Sequence, residues 1–433
     1  LANLHEVEAT QVGTFTDSGA FIVKHGEKTV AHLPMNFMHD GCPQLNLKSE
    51  WIPPINEEPN YPKSNPKQMG QILSRLLARP NIASKEWWVR QYDHEVIAQS
   101  VIKPFCGVNH DAPGDAAVIA PIMGNTRGAV ISCGIVPRYS DIDAYAMTAA
   151  SIDEAVRNAV CVGVNLDKIA GLDNFCWPDP IESEKTPDGQ YKLAQLVRSN
   201  QALDDVCRAY NLPCISGKDS MKNDAKLDGK KISIPPTLLY TLLGDHQDVR
   251  KAVSSDFKDK GDIIYLLGET HQELGASELN FMLSEETGGG IGNDVPQIDT
   301  ERNLTLYRAL TKAMDEELVR SAHDCSDGGL ATAIAECCFG CDGGTTIDLD
   351  GIGDVNNWAA LFGESLGRIV VTVSPANTEK FATIMANHCL VKLGQVDNKS
   401  ELTIKRGGEN ILTAKLTDLL SSWKGTLHMG GGV

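Results

Sequence analysis

The segment Ala322-His323-Asp324-Cys325-Ser326-Asp327-Gly328-Gly329-Leu330 joins an apolar run to a small-residue run through two glycines. It reads as a strand, a tight turn and a helix start. Helix N-termini offer unpaired N–H groups and a positive dipole end, both suited to phosphate. Asp324 and Asp327 add hard oxygen ligands for Mg²⁺, an ion that itself binds phosphate oxygens. Ordinary capping by Ser326 and Asp327, with a Gly-Gly turn, is the competing reading. In Asp153-Glu154-Ala155-Val156-Arg157-Asn158, Glu154 and Asn158 stand four apart, so a helix puts both on one face. A carboxylate and an amide there make a plausible Mg²⁺ pair, against the alternative of a solvated face. A third segment, Ile215-Ser216-Gly217-Lys218-Asp219-Ser220, runs from a short apolar strand into a polar turn. Gly217 lets backbone approach a ligand, and Lys218 carries charge suited to phosphate. The GxxxxGK[ST] spacing is absent, so this is not a P-loop. The Gly114-Asp115 turn entering a strand and Lys85 in Asn81-Ile82-Ala83-Ser84-Lys85 are weaker signals.

Two other patterns carry less. Cys337, Cys338 and Cys341 have no second cysteine or histidine pair close by in sequence, so helix packing reads better than zinc. The Gly288–Gly292 run follows no strand in a βαβ setting and reads as a loop, not a dinucleotide fingerprint.

The elements that must position these residues read as α/β (α+β). Residues 1–41 form a β segment with strands at Gln11–Phe15, Ala20–Val23 and Thr29–Leu33, separated by Asp-Ser-Gly and His-Gly-Glu turns. No helix covers them, and a bare hairpin is marginal alone, so they belong with a preceding neighbour. Residues 42–66 carry six prolines and read as a stiff linker. Residues 67–248 form a first subdomain: helices at Gln68–Ala78, Ser151–Cys161 and Leu193–Tyr210, strands at Ala116–Ala120, Gly128–Ile135 and Ile234–Leu243. Residues 249–420 form a second: strands at Asp262–Leu267, Arg368–Val373 and Leu402–Lys405, a helix at Leu304–Glu317, and the strand–turn–helix of Leu318–Phe339. Residues 421–433 read as a tail, with Gly430–Gly432 frayed.

Composition narrows the function classes. The 433 residues hold 39 basic and 57 acidic side chains, a net charge of −18. Nucleic acid and anionic membranes want basic surfaces, so neither is an expected partner. No apolar run approaches a membrane span. The 12 cysteines are dispersed, unlike a disulfide scaffold, and Leu1–Thr10 lacks the apolar core of a signal peptide. Reduced thiols in a cytoplasmic protein are the expectation.

Seven blocks, in order, resemble the phosphoribosylformylglycinamidine synthase family of the aminoimidazole-ribonucleotide-synthetase-like superfamily. They are Arg79-Pro80-Asn81-Ile82-Ala83-Ser84-Lys85-Glu86-Trp87, Gln91-Tyr92-Asp93-His94, Pro113-Gly114-Asp115-Ala116-Ala117, Pro137-Arg138-Tyr139, Glu154–Asn158, Ser216–Met221 and His323–Gly329. The resemblance covers essentially the whole chain. It implies ATP-dependent phosphorylation of the amide oxygen of formylglycinamide ribonucleotide, followed by attack of glutamine-derived ammonia, in purine biosynthesis. It implies Mg²⁺ and ATP or ADP as cofactors. Family synthetases have two tandem halves. This chain is similar to the second half, with the β segment ending the first. Its implied partners are the first synthetase half, which holds the catalytic histidine, a glutaminase subunit or domain, and a small bridging subunit or domain. No catalytic residue is therefore assigned here.

By the same resemblance, Glu154, Asn158 and Asp324 are metal ligands, Lys85 and Ser326 contact nucleotide, Gly217 approaches ATP and Ser220 the substrate. Lys218 stands where short members have a metal-ligating Asn, and an ammonium cannot ligate Mg²⁺. Gly134 stands where an acidic ligand is frequent, with Asp141 and Asp143 as nearby substitutes. Gly171 falls on an ATP-contacting Asp position, with Asp173 two residues on as the ATP-binding candidate. Two rival readings are a non-catalytic structural nucleotide-binding module, and a stand-alone relative similar to aminoimidazole ribonucleotide synthetase or selenophosphate synthetase. The latter would need its own glycine-rich N-terminal segment with a reactive Cys or Lys, and none is found.

Overall fold

The computed structural model describes residues 2–92, 95–341 and 343–427, and the chain divides into two compact units, 1–48 and 49–433. In the first unit β1 (Ala20–His25) pairs antiparallel with β2 (Lys28–Pro34), and a short helix α1 (Met35–Asp40) follows. The expected strand at Gln11–Phe15 does not form: Val12 and Phe15 are fully exposed and the segment has no regular structure.

In the second unit residues 49–65 run without helix or strand. They are tied down locally, by Trp51 stacked on Tyr191 and by a bridge from Pro59 to Gly289. Helix α2 (Pro66–Leu77) starts on a capping box in which Asn65 and Gln68 satisfy each other's backbone N–H. Its buried face packs with the second sheet below rather than with the first, contrary to the subdomain expected from sequence.

The first sheet has six strands in the order β3-β4-β5-β8-β6-β7. These are β3 (Ser100–Ile102), β4 (Ala117–Ile119), β5 (Gly128–Gly134), β6 (Asn165–Cys176), β7 (Cys214–Ser220) and β8 (Thr237–His246). All neighbours are antiparallel except β6 and β7, which are parallel. Helix α3 (Ala144–Cys161) and the crossover helix α4 (Gly189–Ala209) cover one face. The other face is open, so Ile131, Ile135 and Leu243 are exposed.

The second sheet has seven strands in the order β10-β12-β9-β13-β11-β14-β15. They are β9 (Ile263–Leu267), β10 (Val319–Asp324), β11 (Thr345–Asp348), β12 (Ile369–Val373), β13 (Leu390–Val396), β14 (Glu401–Arg406) and β15 (Glu409–Lys415). Its longer helices are α5 (Glu278–Thr287), α6 (Thr300–Asp315), α7 (Gly329–Phe339) and α8 (Leu416–Gly425). Tyr265, Leu267 and Val371 join a core with α3 and α6, while Ile264, Leu266 and Val370 join the opposite core with α2, α5, α7 and α8. This alternation is the period-two geometry of a strand covered on both faces. Helix α3 therefore lies between two sheets. That explains why it begins at Ala144 and not at Ser151: a sandwiched, Ala-rich start shows little amphipathic period. The expected tail begins inside α8, whose Leu419 and Trp423 are buried; Gly430–Gly432 lie outside the described residues. Among the described residues no helix is long and apolar enough to cross a membrane.

Candidate functional site

Strand β10 ends at Asp324, and the turn beyond it carries Ser326 and Asp327. Helix α7 then starts with Gly328 (φ 79°) as its N-cap and Gly329 (φ 69°) as its first residue. A Cβ on Gly329 would stand 2.4 Å from the Gly363 carbonyl oxygen, so both space and backbone demand glycine. The sequence alternatives for this end were a phosphate or a cap by Ser326 and Asp327. The structure gives a third arrangement: the Glu364 carboxylate accepts from Gly328 N at 2.9 Å, from Glu278 N at 3.0 Å and from Tyr139 OH at 2.9 Å. Burial pushes the Glu364 carboxyl up to about 7 and, with Glu364 and Glu278 adding repulsion, holds Asp327 well above the usual range. Glu278 in turn is held by Arg79 and Asn81. This helix end is thus already capped by the buried Glu364 carboxyl group.

Asp324 supplies the other side of the site. Arg157, fully buried on α3, donates to Asp153, to Asp324 at 3.2 Å and to Ser326 Oγ at 2.9 Å. Asp153 also accepts from the hydroxyls of Tyr210 (2.6 Å) and Tyr307 (2.9 Å) and the Asn303 amide (3.1 Å). The Asp153 carboxylate is therefore fully bonded, as a buried ion pair needs, while the buried Arg157 Nε has no hydrogen-bond partner. Glu154 accepts from Ile135 N at 2.7 Å. Burial first, then the neighbouring Asp324 charge, push its carboxyl up to about 7.

The weak Gly114-Asp115 signal becomes the decisive addition. His323 is buried between two carboxylates, with Nδ1 2.7 Å from Asp115 and Nε2 3.1 Å from Glu336. Burial opposes the imidazolium, but Asp115 and Glu336 outweigh it and hold its pKa well above the usual value. Burial raises Asp115 to about 6. The ligand atoms of Asp115, His323 and Asp324 lie within 4.8 Å of one another. With both ring nitrogens bonded to carboxylates, His323 has no lone pair for a metal. Asp115 and Glu154 both feel the Asp324 charge, and these hard oxygen donors suit Mg²⁺.

The other expected residues are placed differently. Lys85 turns its ammonium onto the carbonyls of Pro80 (2.9 Å), Asn81 (2.9 Å) and Ala83 (2.6 Å). Burial lowers its pKa, against the pull of Asp327 and Glu336, so it borders the acidic cluster while fastening its own loop. Asn158 lies one turn beyond Glu154 and donates to Cys133 O at 3.1 Å. Asp173, Gly217 and Ser220 gather elsewhere, on the β6–β7 edge. Gly217 pairs with Asp173, and a Cβ there would stand 2.7 Å from its Oδ2. The expected turn at Ser216–Ser220 is part of β7, with Ser220 its last residue and bonded to Lys218. Among the described residues no hydrogen bond or ion pair links this group to Asp324.

Neither substitute carboxylate proposed from sequence faces the cluster as a partner. Asp143 caps α3 through Tyr145 N and pairs with Arg198, and the strongest charge acting on Asp141 is Arg138. Gly134 and Gly171 are closed positions. A Cβ on Gly134 would meet the Ser151 carbonyl oxygen at 2.0 Å, and one on Gly171 the Tyr240 hydroxyl at 1.8 Å. Cys337 and Cys338 are buried in α7, within the second core.

Residues 113–244 match the model of the AIR synthase related protein N-terminal domain, and residues 259–407 that of its C-terminal domain. The chain belongs to the AIR synthase related family. Its two matched domains hold the two sheets apart from the edge strands β3 and β15, and Asp115, Glu154 and Asp324 come from both. Among solved structures, Thermotoga maritima PurL complexed with FGAR is similar at 17% identity and a TM-score of 0.59, over 81% of this chain and 52% of that one. The ADP complex of the same protein gives 16% and 0.59, over 83% and 52%. This AIR synthase related chain thus spans about half the length of the PurL chains it matches. A HypE–HypF complex structure is similar at 15% identity and TM-score 0.53, over 76% of this chain and 98% of that one. At such identities the likeness shows the shared fold.

Proposed function

We propose that this chain is the nucleotide- and Mg²⁺-binding second half of a phosphoribosylformylglycinamidine synthase, which converts formylglycinamide ribonucleotide to the amidine with ATP and glutamine-derived ammonia. The observation that carries the reading is the approach of Asp115 and Asp324, from the two matched domains, within 4.8 Å of each other, with Glu154 near enough to Asp324 to feel its charge. Asp115, Glu154 and Asp324 would hold the ion, with Arg157 and Ser326 fixing the Asp324 carboxylate. Bound Mg²⁺ supplies charge neutralisation for phosphate oxygens. His323 orients Asp115 and opposes the rise that burial gives its pKa. Lys85 holds the Pro80–Ala83 loop at the rim, and movement off its carbonyls frees it for a nucleotide. Asn158 would join as an amide ligand only after leaving Cys133.

The PurL structures with FGAR and with ADP support the substrate and cofactor classes for this fold. The open face of the first sheet, with Ile131, Ile135 and Leu243 exposed, supports docking of the first synthetase half. Glutaminase and a bridging subunit would deliver ammonia, and Asp173, Gly217 and Ser220 would serve ATP and substrate shared with that half. A second reading, a nucleotide held without turnover by this chain alone, is favoured by Gly134 and Gly171, where no carboxylate fits.

Thermal melts with and without Mg²⁺-ADP test the binding claim. A shift that requires both ligands is expected, and no shift at millimolar ligand sinks it. Ammonia-dependent synthesis is expected only when the first half is added; turnover by the purified chain alone would refute the division of labour.

A further inference from the structure

Away from the acidic site, two thiols face each other. Helix α4 ends in a turn where Asn211 takes the left-handed conformation (φ 50°). Leu212 N bonds to Cys207 O at 2.9 Å and Asn211 N to Arg208 O at 3.2 Å, the paired bonds of a Schellman stop. Pro213 follows, its carbonyl anchored by Gly171 N at 2.8 Å, and β7 starts at Cys214. The reversal sets Cys214 Sγ 3.9 Å from Cys207 Sγ, with the Tyr240 hydroxyl 3.6 Å and 3.3 Å from them. A disulfide needs about 2.05 Å between the sulfurs, so closure brings them together by about 2 Å. Cys214 is exposed, while Cys207 is half-buried.

We propose that Cys207 and Cys214 are a peroxide-sensitive modification site, closing to a reversible disulfide that ties the edge strand β7 to the end of α4. The proposal rests on the thiol geometry and not on the function assigned above. Cys214, the accessible sulfur, attacks a peroxide oxygen; the O–O bond breaks, giving a sulfenic acid and one water. Cys207 sulfur then attacks Cys214 sulfur. The S–S bond forms as S–OH breaks, and the Cys207 proton leaves with the hydroxyl as a second water. Two thiols lose two electrons and one peroxide gains them. Burial pushes the Cys207 thiol up to about 12, which slows its attack on the sulfenic acid. The bond constrains the strand that carries Gly217, Lys218 and Ser220.

The test uses the full chain, reduced, desalted and treated with hydrogen peroxide. Remaining thiols are blocked with N-ethylmaleimide before trypsin digestion. Cleavage after Arg208 puts the two cysteines on separate peptides. A linked pair, two hydrogens lighter than its parts and released by dithiothreitol, is expected as the dominant cross-link. Cys214→Ser should abolish it, Cys207→Ser should leave Cys214 reactive to dimedone, and Cys133→Ser, which removes another exposed thiol, should change nothing. Maleimide on both Cys207 and Cys214 after peroxide, or Cys214 linked chiefly to another cysteine, would overturn the proposal, and the wild-type digest decides it even where a variant misfolds.

Discussion

The Asp115–Glu154–Asp324 cluster and the Asp173–Gly217–Ser220 edge use similar residue types in opposite settings. The cluster is buried among Arg157, His323 and Ser326, each bonded to more than one partner. The edge lies at the last strand of a sheet, where Gly217 is exposed and the Ser220 hydroxyl meets its neighbour Lys218. Polar groups in a low-dielectric interior must satisfy one another, so their geometry is set before any ligand arrives. Edge groups are satisfied by water and take shape against whatever docks. In the cluster, folding and ligand chemistry are therefore coupled; at the edge they are nearly independent.

The largest effect should come from Arg157→Met, which leaves Asp153 and Asp324 without their buried cation. Breaking such a pair costs about 3–5 kcal/mol, read by chemical denaturation; a loss near zero would dissolve the contrast. Next, Asp324→Asn should remove the Mg²⁺-ADP melting shift, about 2.7 kcal/mol at a hundredfold excess over Kd, while Asp173→Asn should keep it. Equal losses in the two variants would merge the two regions into one site.

The pH dependence sharpens the comparison further. Burial raises Glu154 to about 7 and Asp115 to about 6 in the folded state. A carboxyl with a raised folded pKa contributes stability below its unfolded value and loses it as pH rises through the folded one. Without metal, these two groups therefore weaken the fold between roughly pH 4 and 7. Ligation needs the deprotonated forms, so the stabilisation by Mg²⁺ should grow from about pH 5.5 to about pH 8. Melts at both values check this, and a stabilisation that shrinks over that range contradicts the proposed ligands. The smallest effect is Ser220→Ala, expected to alter stability by no more than about 0.5 kcal/mol while raising the KM for the ribonucleotide in the reconstituted enzyme.

Much of the fold was legible because strands such as Ile369–Val373 and Gly128–Gly134 announce themselves by apolar content and flanking glycine. Strand β6 was not, since Asp167, Lys168, Asp173 and Asn174 interrupt its pattern, and only its place between β8 and β7 makes it a strand. The glycine-rich turn after Asp324 and the i, i+4 pair on α3 pointed to the cluster. The partners that complete it did not show. Asp115 lies 208 residues from His323, and Glu364 reaches the α7 start from 36 residues beyond Gly328. Such contacts belong to the sheet stacking and leave no local spacing to read. Ser216–Ser220 was misread because a polar, Gly-containing strand at a sheet edge has the composition of a turn.

The Tyr240 hydroxyl stands where a side chain on residue 171 would begin. This fixes an order of events for any change of chemistry there. A carboxylate introduced at 171 against the intact tyrosine is sterically blocked. Shortening residue 240 first opens a hole in a buried wall and removes a partner of Cys207 and Cys214. Either single step is unfavourable and the pair together is tolerable, so the two positions behave as one coupled choice. Sequence drift at either alone is closed off, and a descendant that gains an acidic residue at 171 should carry a smaller one at 240.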